Sequence, residues 1–396
     1  MNGLLTAALL ACPGFHPQEK PAQAHPKVDQ KRVNEAIEKG VAWLRKADRS
    51  QVYGSTELTL WTLLHAGVPE TDALFKQLLA EVLGLEPYST YAVSLQAMIL
   101  EELDRVKHQR RIAQCAQFLV DNQSSKGWWG YGKPTPFVDQ IPAPTAGTRR
   151  REVATPGTKP KKGEPPVRLK PPVLQTIQIK KKRDGDPHDN SNSQYAALGL
   201  RACHDAGIVF EKQVIELARK WWVESAHAEQ NSKEGYPPMG WGYTERGCNP
   251  TGCGAMTAGA VGALVIYDYM LDENAQKSLP WKRDPAVMGG MNWLAKNFTV
   301  TKNAGWCDVG GEPGPHYYYL YALERAGVLY GTEWIGKHEW YPEGANLLLQ
   351  SQKGDGSWGG VNTWDAHSDT CFAILFLRRA TRRLTDVATV DRLTGK

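Results

Sequence analysis

Between residues 31 and 380 the chain reads as helix-length apolar patterns of two kinds in strict alternation. One kind is amphipathic, with Lys, Arg and Glu along one face: 31–46, 71–84, 107–122, 210–227, 284–298 and 340–352. The other is apolar nearly all round: 56–68, 89–103, 192–208, 256–270, 316–328 and 369–380. A helix with one polar face borders water, whereas a helix with none must be covered on both sides. Covered and half-exposed helices in alternation close without a bare apolar face when hairpins form a ring, with the apolar helices lining its axis. The pattern therefore predicts an all-α chain with a single α6/α6 toroid over residues 31–396, led by a signal-like or disordered 1–30.

The turns between helices repeat as well. QSSKGWW and QKGDGSW share the order Q-x-x-x-G-x-W, at Gln123, Gly127 and Trp129 and again at Gln352, Gly356 and Trp358. Looser echoes occur at Gly240–Trp241–Gly242 and Gly305–Trp306. In this reading the glutamine closes an amphipathic helix and its amide satisfies orphan backbone groups there. The glycine permits the positive φ that turns the chain inward. The tryptophan covers the helix end. A turn used more than once signals a repeat architecture. HAGV, DAGI and RAGV end three apolar helices, where Gly67, Gly207 and Gly327 suit a left-handed C-cap.

Residues 133–188 break the pattern. They hold 13 Lys/Arg against 5 Asp/Glu and eleven prolines. Such a stretch supports no packed core, so it reads as a long surface insert in which VLQTIQI (173–179) forms at most a short strand. The chain's net charge of +5 comes from this segment, the remainder being about −3. Its basic residues form no periodic face and carry few aromatics, which argues against a nucleic-acid partner. Leu4–Ala11 is a short apolar run ahead of Cys12, and Leu9–Cys12 resembles a lipoprotein cleavage site, so the expectation is export to a periplasmic or lipid-anchored location. Cys115, Cys203 and Cys371 fall in apolar helices and read as buried thiols. Cys248, Cys253 and Cys307 fall in glycine-rich loops open to a disulfide or a metal.

The repeated Q-x-x-x-G-x-W turns between alternating helices resemble the squalene/oxidosqualene cyclases and the β subunits of protein prenyltransferases. DNSNSQYAALGL (189–200) and SDTCFAILFLRRA (368–380) look like the uncharacterised bacterial proteins with squalene-cyclase repeats. The resemblance implies the toroid fold and an isoprenoid or similar apolar ligand in its axis, with peripheral membrane contact allowed. It implies no chemistry by itself. The D-x-D-D acid cluster of squalene cyclases is absent, the nearest acids being Asp365 and Asp369. The prenyltransferase zinc triad is incomplete: Cys253 and His316 match in placement, but the position two before the cysteine is Thr251, leaving Asp308 or Cys307 as substitutes. No cofactor is therefore expected. PTGCGAMT (250–257) is similar to the thioester loop of complement-type domains, but Met256 stands where that bond needs a glutamine.

The ring predicts that the apolar helices all start at one mouth. Capping residues there (Ser55, Thr56, Ser89, Asn190 to Ser193, Ser368 and Asp369) would bring helix dipoles together and favour an anion such as a diphosphate. Trp61, Tyr91, Tyr195, Tyr318 and Phe372 are the ring-bearing candidates for an apolar tail or a carbocation. Asp369, His316 and Asp308 are the acid–base candidates. An N-cap carboxylate would have a lowered pKa, and an imidazole at a helix start would resist protonation. Three function classes follow: an isoprenoid cyclase-like or prenyltransferase-like enzyme, a non-catalytic exported binding or scaffold protein, and a carbohydrate-active toroid with Asp308 and Asp369 as paired carboxylates.

Overall fold

The computed structural model describes residues 28–49, 54–141, 173, 176–187, 189–230, 235–244, 252–306, 314–359 and 365–384. They are mostly helical. The amphipathic set forms α1 (Gln30–Leu44), α3 (Ala73–Gly84), α5 (Gln109–Asn122), α7 (Lys212–Glu224), α10 (Pro285–Lys296) and α12 (Trp340–Ser351). The apolar set forms α2 (Ser55–Ala66), α4 (Thr90–Asp104), α6 (Asn190–Asp205), α8 (Gly254–Leu271), α11 (His316–Tyr330) and α13 (Ala366–Arg378). A short α9 (Ala275–Ser278) lies between α8 and α10.

The apolar helices touch in cyclic order. α2 packs on α4, α4 on α6, α6 on α8, α8 on α11, α11 on α13, and α13 on α2. Each amphipathic helix lies against one or two of them: α1 on α2 and α13, α3 on α2, α5 on α4 and α6, α7 and α10 on α8, α12 on α11 and α13. α8 is buried from Gly254 through Asp268, which accounts for its having no polar face. Three small strand pairs lie between the helices: β1 (Ile177–Ile179) with β2 (Ile208–Phe210) in parallel, β3 (His227–Ala228) with β4 (Met239–Gly240), and β5 (Trp334–Ile335) with β6 (His338–Glu339).

The two full turns have one construction. Trp129 Nε1 donates to Leu119 O at 2.7 Å, and Trp358 Nε1 to Leu348 O at 2.8 Å. Both acceptors are carbonyls in the last turn of a helix, where backbone partners run short; Leu348 O also accepts from Gln352 N at 3.2 Å, so there the indole adds a second bond. The glutamine does more than the sequence suggested. Gln123 Nε2 donates to Val214 O of α7 at 2.8 Å, and Gln352 Nε2 to Ala36 O of α1 at 2.8 Å. Each thus ties its helix to the next amphipathic helix, and the second tie joins the last such helix to the first. Gly127 and Gly356 have φ of 97° and 94°. A Cβ on Gly127 would lie 2.2 Å from Leu217 O, so the close approach as well as the dihedral requires glycine.

Each tryptophan backbone N–H then donates to a hydroxyl near the start of an apolar helix: Trp129 to Ser193 and Trp358 to Thr370, both at 3.0 Å. The looser echo at Trp241 repeats the scheme, with Nε1 on Trp222 O and N–H on Thr257. Trp306 does not; it leans on Tyr243, with ring centroids 6.3 Å apart. Gly67 is the left-handed C-cap of α2, and Gly207 (φ 81°) follows the C-cap of α6. Gly327 lies inside α11, which runs on to Tyr330; a Cβ there would meet Trp340 at 2.6 Å.

Of the 133–188 segment, the described parts are 133–141, 173 and 176–187. β1 falls within the stretch expected to form a short strand. Lys182 N donates to Asp121 Oδ1 at 2.7 Å and Gly185 N to Gln123 O at 3.0 Å, which seats 176–187 on the end of α5. The N-terminal run to Ala11, Cys12, Cys248, Thr251, Cys307 and Asp308 lie outside the described residues.

Candidate functional site

The starts of the apolar helices carry fewer side-chain caps than their sequences promise. Ser89 caps α4, accepting from Ala92 N at 3.2 Å. Asp189 caps α6 and Asp365 caps α13, each accepting from a third-residue N–H at 2.7 Å. Gly54, Cys253 and Pro315 precede α2, α8 and α11 without a side-chain cap bond. Two of the three caps are carboxylates, and each offsets the partial positive charge of its helix. Asp369 is not a cap. α13 begins three residues earlier than expected, so Asp369 sits in its first turn, buried. The capping role therefore belongs to Asp365.

The five ring-bearing candidates come together, and Tyr321 joins them. Tyr91 lies on Tyr195 with centroids 4.0 Å apart; Tyr195 and Tyr318 are 6.2 Å apart, Tyr318 and Phe372 5.6 Å, and Phe372 and Tyr321 5.9 Å. Trp61 Nε1 donates to Tyr321 OH at 3.0 Å. Relative exposures are 0% for Tyr195, 1% for Tyr318 and Tyr321, 2% for Phe372 and 5% for Trp61, so these rings are almost wholly shielded from water. Tyr91 is only part-buried. The rings fill their own space.

A cation lies among them. Arg325, 2% exposed, holds its guanidinium 4.3 Å from the Tyr321 centroid and 5.2 Å from that of Tyr195. Its Nη2 donates to Gln194 Oε1 at 2.8 Å, and Gln194 Nε2 donates to Tyr318 OH at 2.7 Å. Burial pushes the Tyr91, Tyr195, Tyr318 and Tyr321 hydroxyls upward, so they stay protonated beside the charge. The neighbouring Glu324 turns the other way, accepting from Thr381 N at 3.1 Å and Thr381 Oγ1 at 2.5 Å. Its complete burial lifts its pKa to about 7. Arg325, Gln194 and Glu324 were not singled out from the sequence. The signal was present: Glu324 and Arg325 interrupt HYYYLYALERAGV, a helix with no polar face.

The acid–base candidates do not assemble into a catalytic set among the described residues. His316 Nε2 donates to Val300 O at 2.8 Å, and burial lowers its pKa more than that bond raises it. That makes it a neutral, structurally engaged imidazole, with desolvation rather than the helix dipole as the main cause. His367, two residues before Asp369, meets Thr59 Oγ1 at 2.7 Å. Glu57 is wholly buried, its pKa raised by desolvation and restrained by a bond from Gln96 Nε2 at 3.0 Å. No group of three His, Cys, Asp or Glu that could hold a metal occurs among the described residues. Cys253 is a free, buried thiol pushed up to about 12. Cys115, Cys203 and Cys371 are free and buried.

A cleft of about 510 Å³ opens beside the start of α2, lined in part by Arg49, Gly54, Ser55, Glu57 and Tyr88. Gly54 also borders the aromatic group, since a Cβ there would lie 3.5 Å from the Tyr91 ring. Compared with models of known families the chain finds no match, and no curated protein matches it in sequence.

Proposed function

We propose that the alternating helices close as an α6/α6 toroid of the squalene cyclase and protein prenyltransferase type, and that the chain is a binding protein rather than a catalyst. The cyclic contact order of the apolar helices supports the ring. So does the tie from Gln352 to Ala36, which joins its last outer helix to its first.

One observation carries the functional half: Arg325 occupies the faces of Tyr195 and Tyr321. Polyene cyclisation builds positive charge that such ring faces stabilise. A permanent guanidinium already holds them, and it raises the energy of any carbocation formed nearby. The remaining rings of the axis lie on one another, where an isoprenoid tail would need an open channel. The carboxylate caps Asp189 and Asp365 weaken the case for a diphosphate at the mouth. The reading of the protein as exported rests on Leu4–Ala11 and Cys12.

Native mass spectrometry after incubation with a lipid extract, and with farnesyl and geranylgeranyl diphosphates, tests the proposal. The expected result is protein free of isoprenoid, with both diphosphates recovered unchanged. A bound isoprenoid converted to a cyclised or transferred product overturns it.

A further inference from the structure

The chain does not turn away from the apolar helices after α13. It pivots at Arg379, the C-cap of that helix, whose φ of 49° is the left-handed conformation glycine usually supplies. Ala380 and Leu384 are then buried, at 5% and 6% exposure. In the cyclic order of the apolar helices α11 is a neighbour of α13, whereas α4 and α6 lie further round. Residues 381–383 bond to all three. Thr381 meets Glu324 of α11 through its N–H and Oγ1. Arg382 Nη1 lies 3.9 Å from Glu101 Oε1 of α4. Arg383 O accepts from Arg201 Nη2 of α6 at 3.4 Å. The segment 379–384 is thus a strap that joins three apolar helices beyond the one it leaves.

The Glu324 anchor is the chemically sensitive one. Glu324 is wholly buried, and both of its side-chain hydrogen bonds among the described residues come from Thr381. The groups that face it are Arg325 and Tyr321 on α11, Arg379 at the pivot, and Tyr341 on α12. The Thr381 bonds and the two arginines favour the ionised carboxyl, but desolvation outweighs them and holds the group at about 7. When the strap leaves, water reaches Glu324 and its ordinary value returns. The open form therefore gives up the proton first, and ionisation draws the equilibrium toward it.

We propose that residues 379–384 are a proton-operated strap, docked on Glu324 while that carboxyl is protonated and released from α4, α6 and α11 as it ionises. The hold is complete below the ordinary carboxyl value of 4.5, weakens as pH climbs from there through the folded value, and is constant above it. Release uncovers the buried carboxyls Glu101 and Glu324 and leaves the outer turns in place.

Hydrogen exchange of the full chain, read by mass spectrometry and corrected for the intrinsic pH dependence of exchange, tests the proposal. Peptides covering 379–384 report the strap, since Thr381 N–H itself donates to Glu324. Peptides from α5 report the core. Strap protection in the natural chain should fall by up to about a hundredfold from pH 5 to 8, while α5 stays unchanged. Glu324→Gln, which keeps the shape and cannot ionise, should hold strap protection level across that range. Thr381→Val carries the test if that variant does not fold: strap protection at pH 5 should drop below that of the natural chain, with α5 again unchanged. A level profile in the natural chain overturns the proposal, as does the same fall in Glu324→Gln. Loss of strap and α5 protection together also overturns it, because the event is then global unfolding. So does a strap that Thr381→Val leaves as protected as before.

Discussion

The outer turns and the inner column solve opposite problems with the same residue types. At the turns, aromatic and amide groups hydrogen-bond the backbone: the indoles of Trp129 and Trp358 meet carbonyls in the last turn of a helix, and Gln123 and Gln352 reach the next helix. In the column, aromatic and amide groups surround Arg325 and leave its Nη1 without a partner. The turns occur more than once and the column occurs once. Repetition of a turn whose donors find backbone partners is what a scaffold needs. A buried guanidinium with an unsatisfied nitrogen among packed rings sets the column apart from that scaffold.

The largest effect should come from breaking the turn. Trp358 is wholly buried, lies against Gly40 of α1 and covers the end of α12. Trp358→Ala removes that packing and leaves Leu348 O without the indole. The expected loss is about 3–5 kcal/mol in denaturant unfolding. A loss below 1 kcal/mol, roughly, would mean that the turn does not hold the outer helices together.

The inner region should show itself through pH. Glu324 has a folded pKa of about 7 against an ordinary 4.5, with burial as the leading cause. A raised folded pKa means the folded state binds more protons than the unfolded one between these values. Stability is then greatest below the unfolded pKa and falls as pH rises through the folded one. The span corresponds to a change on the order of 3 kcal/mol between pH 4 and 8 from this group alone. Arg325, Arg379, Tyr321 and Tyr341 are the charged and titratable neighbours that modulate it. Glu324→Gln should flatten this part of the profile and leave the protein at least as stable as the natural chain at pH 8. Parallel profiles for the two proteins would remove Glu324 as the cause.

Helix positions were legible because the period and the absence of polar faces are properties of neighbouring residues. All twelve long helices fall within a few residues of their expected bounds. Asp369 went astray at that scale: three extra residues at the start of α13 moved the cap to Asp365. The glutamine's reach to the next outer helix was not legible, since Val214 and Ala36 are remote in sequence and carbonyl acceptors leave no residue signature. The grouping of Trp61, Tyr91, Tyr195, Tyr318 and Phe372 followed from placing apolar helices around an axis. Arg325 at its centre did not, because a long side chain's direction depends on the partners it finds, here Gln194 from α6.

The smallest effect separates the two copies of the turn. Gln352 Nε2 donates twice, to Ala36 O at 2.8 Å and to Gly356 O at 2.9 Å. Gln123 Nε2 donates once, to Val214 O, and its Oε1 is buried without a partner. The backbone carbonyl of Gln123 meanwhile receives Gly185 N and Lys181 Nζ, bonds that survive truncation of the side chain. Gln352→Ala should therefore cost more than Gln123→Ala, by about 1 kcal/mol, the net worth of one hydrogen bond. Paired denaturant titrations on the two variants read this difference directly. If Gln123→Ala proves the costlier, the glutamine contributes through its buried stem rather than through its amide, and the turn is held by packing alone.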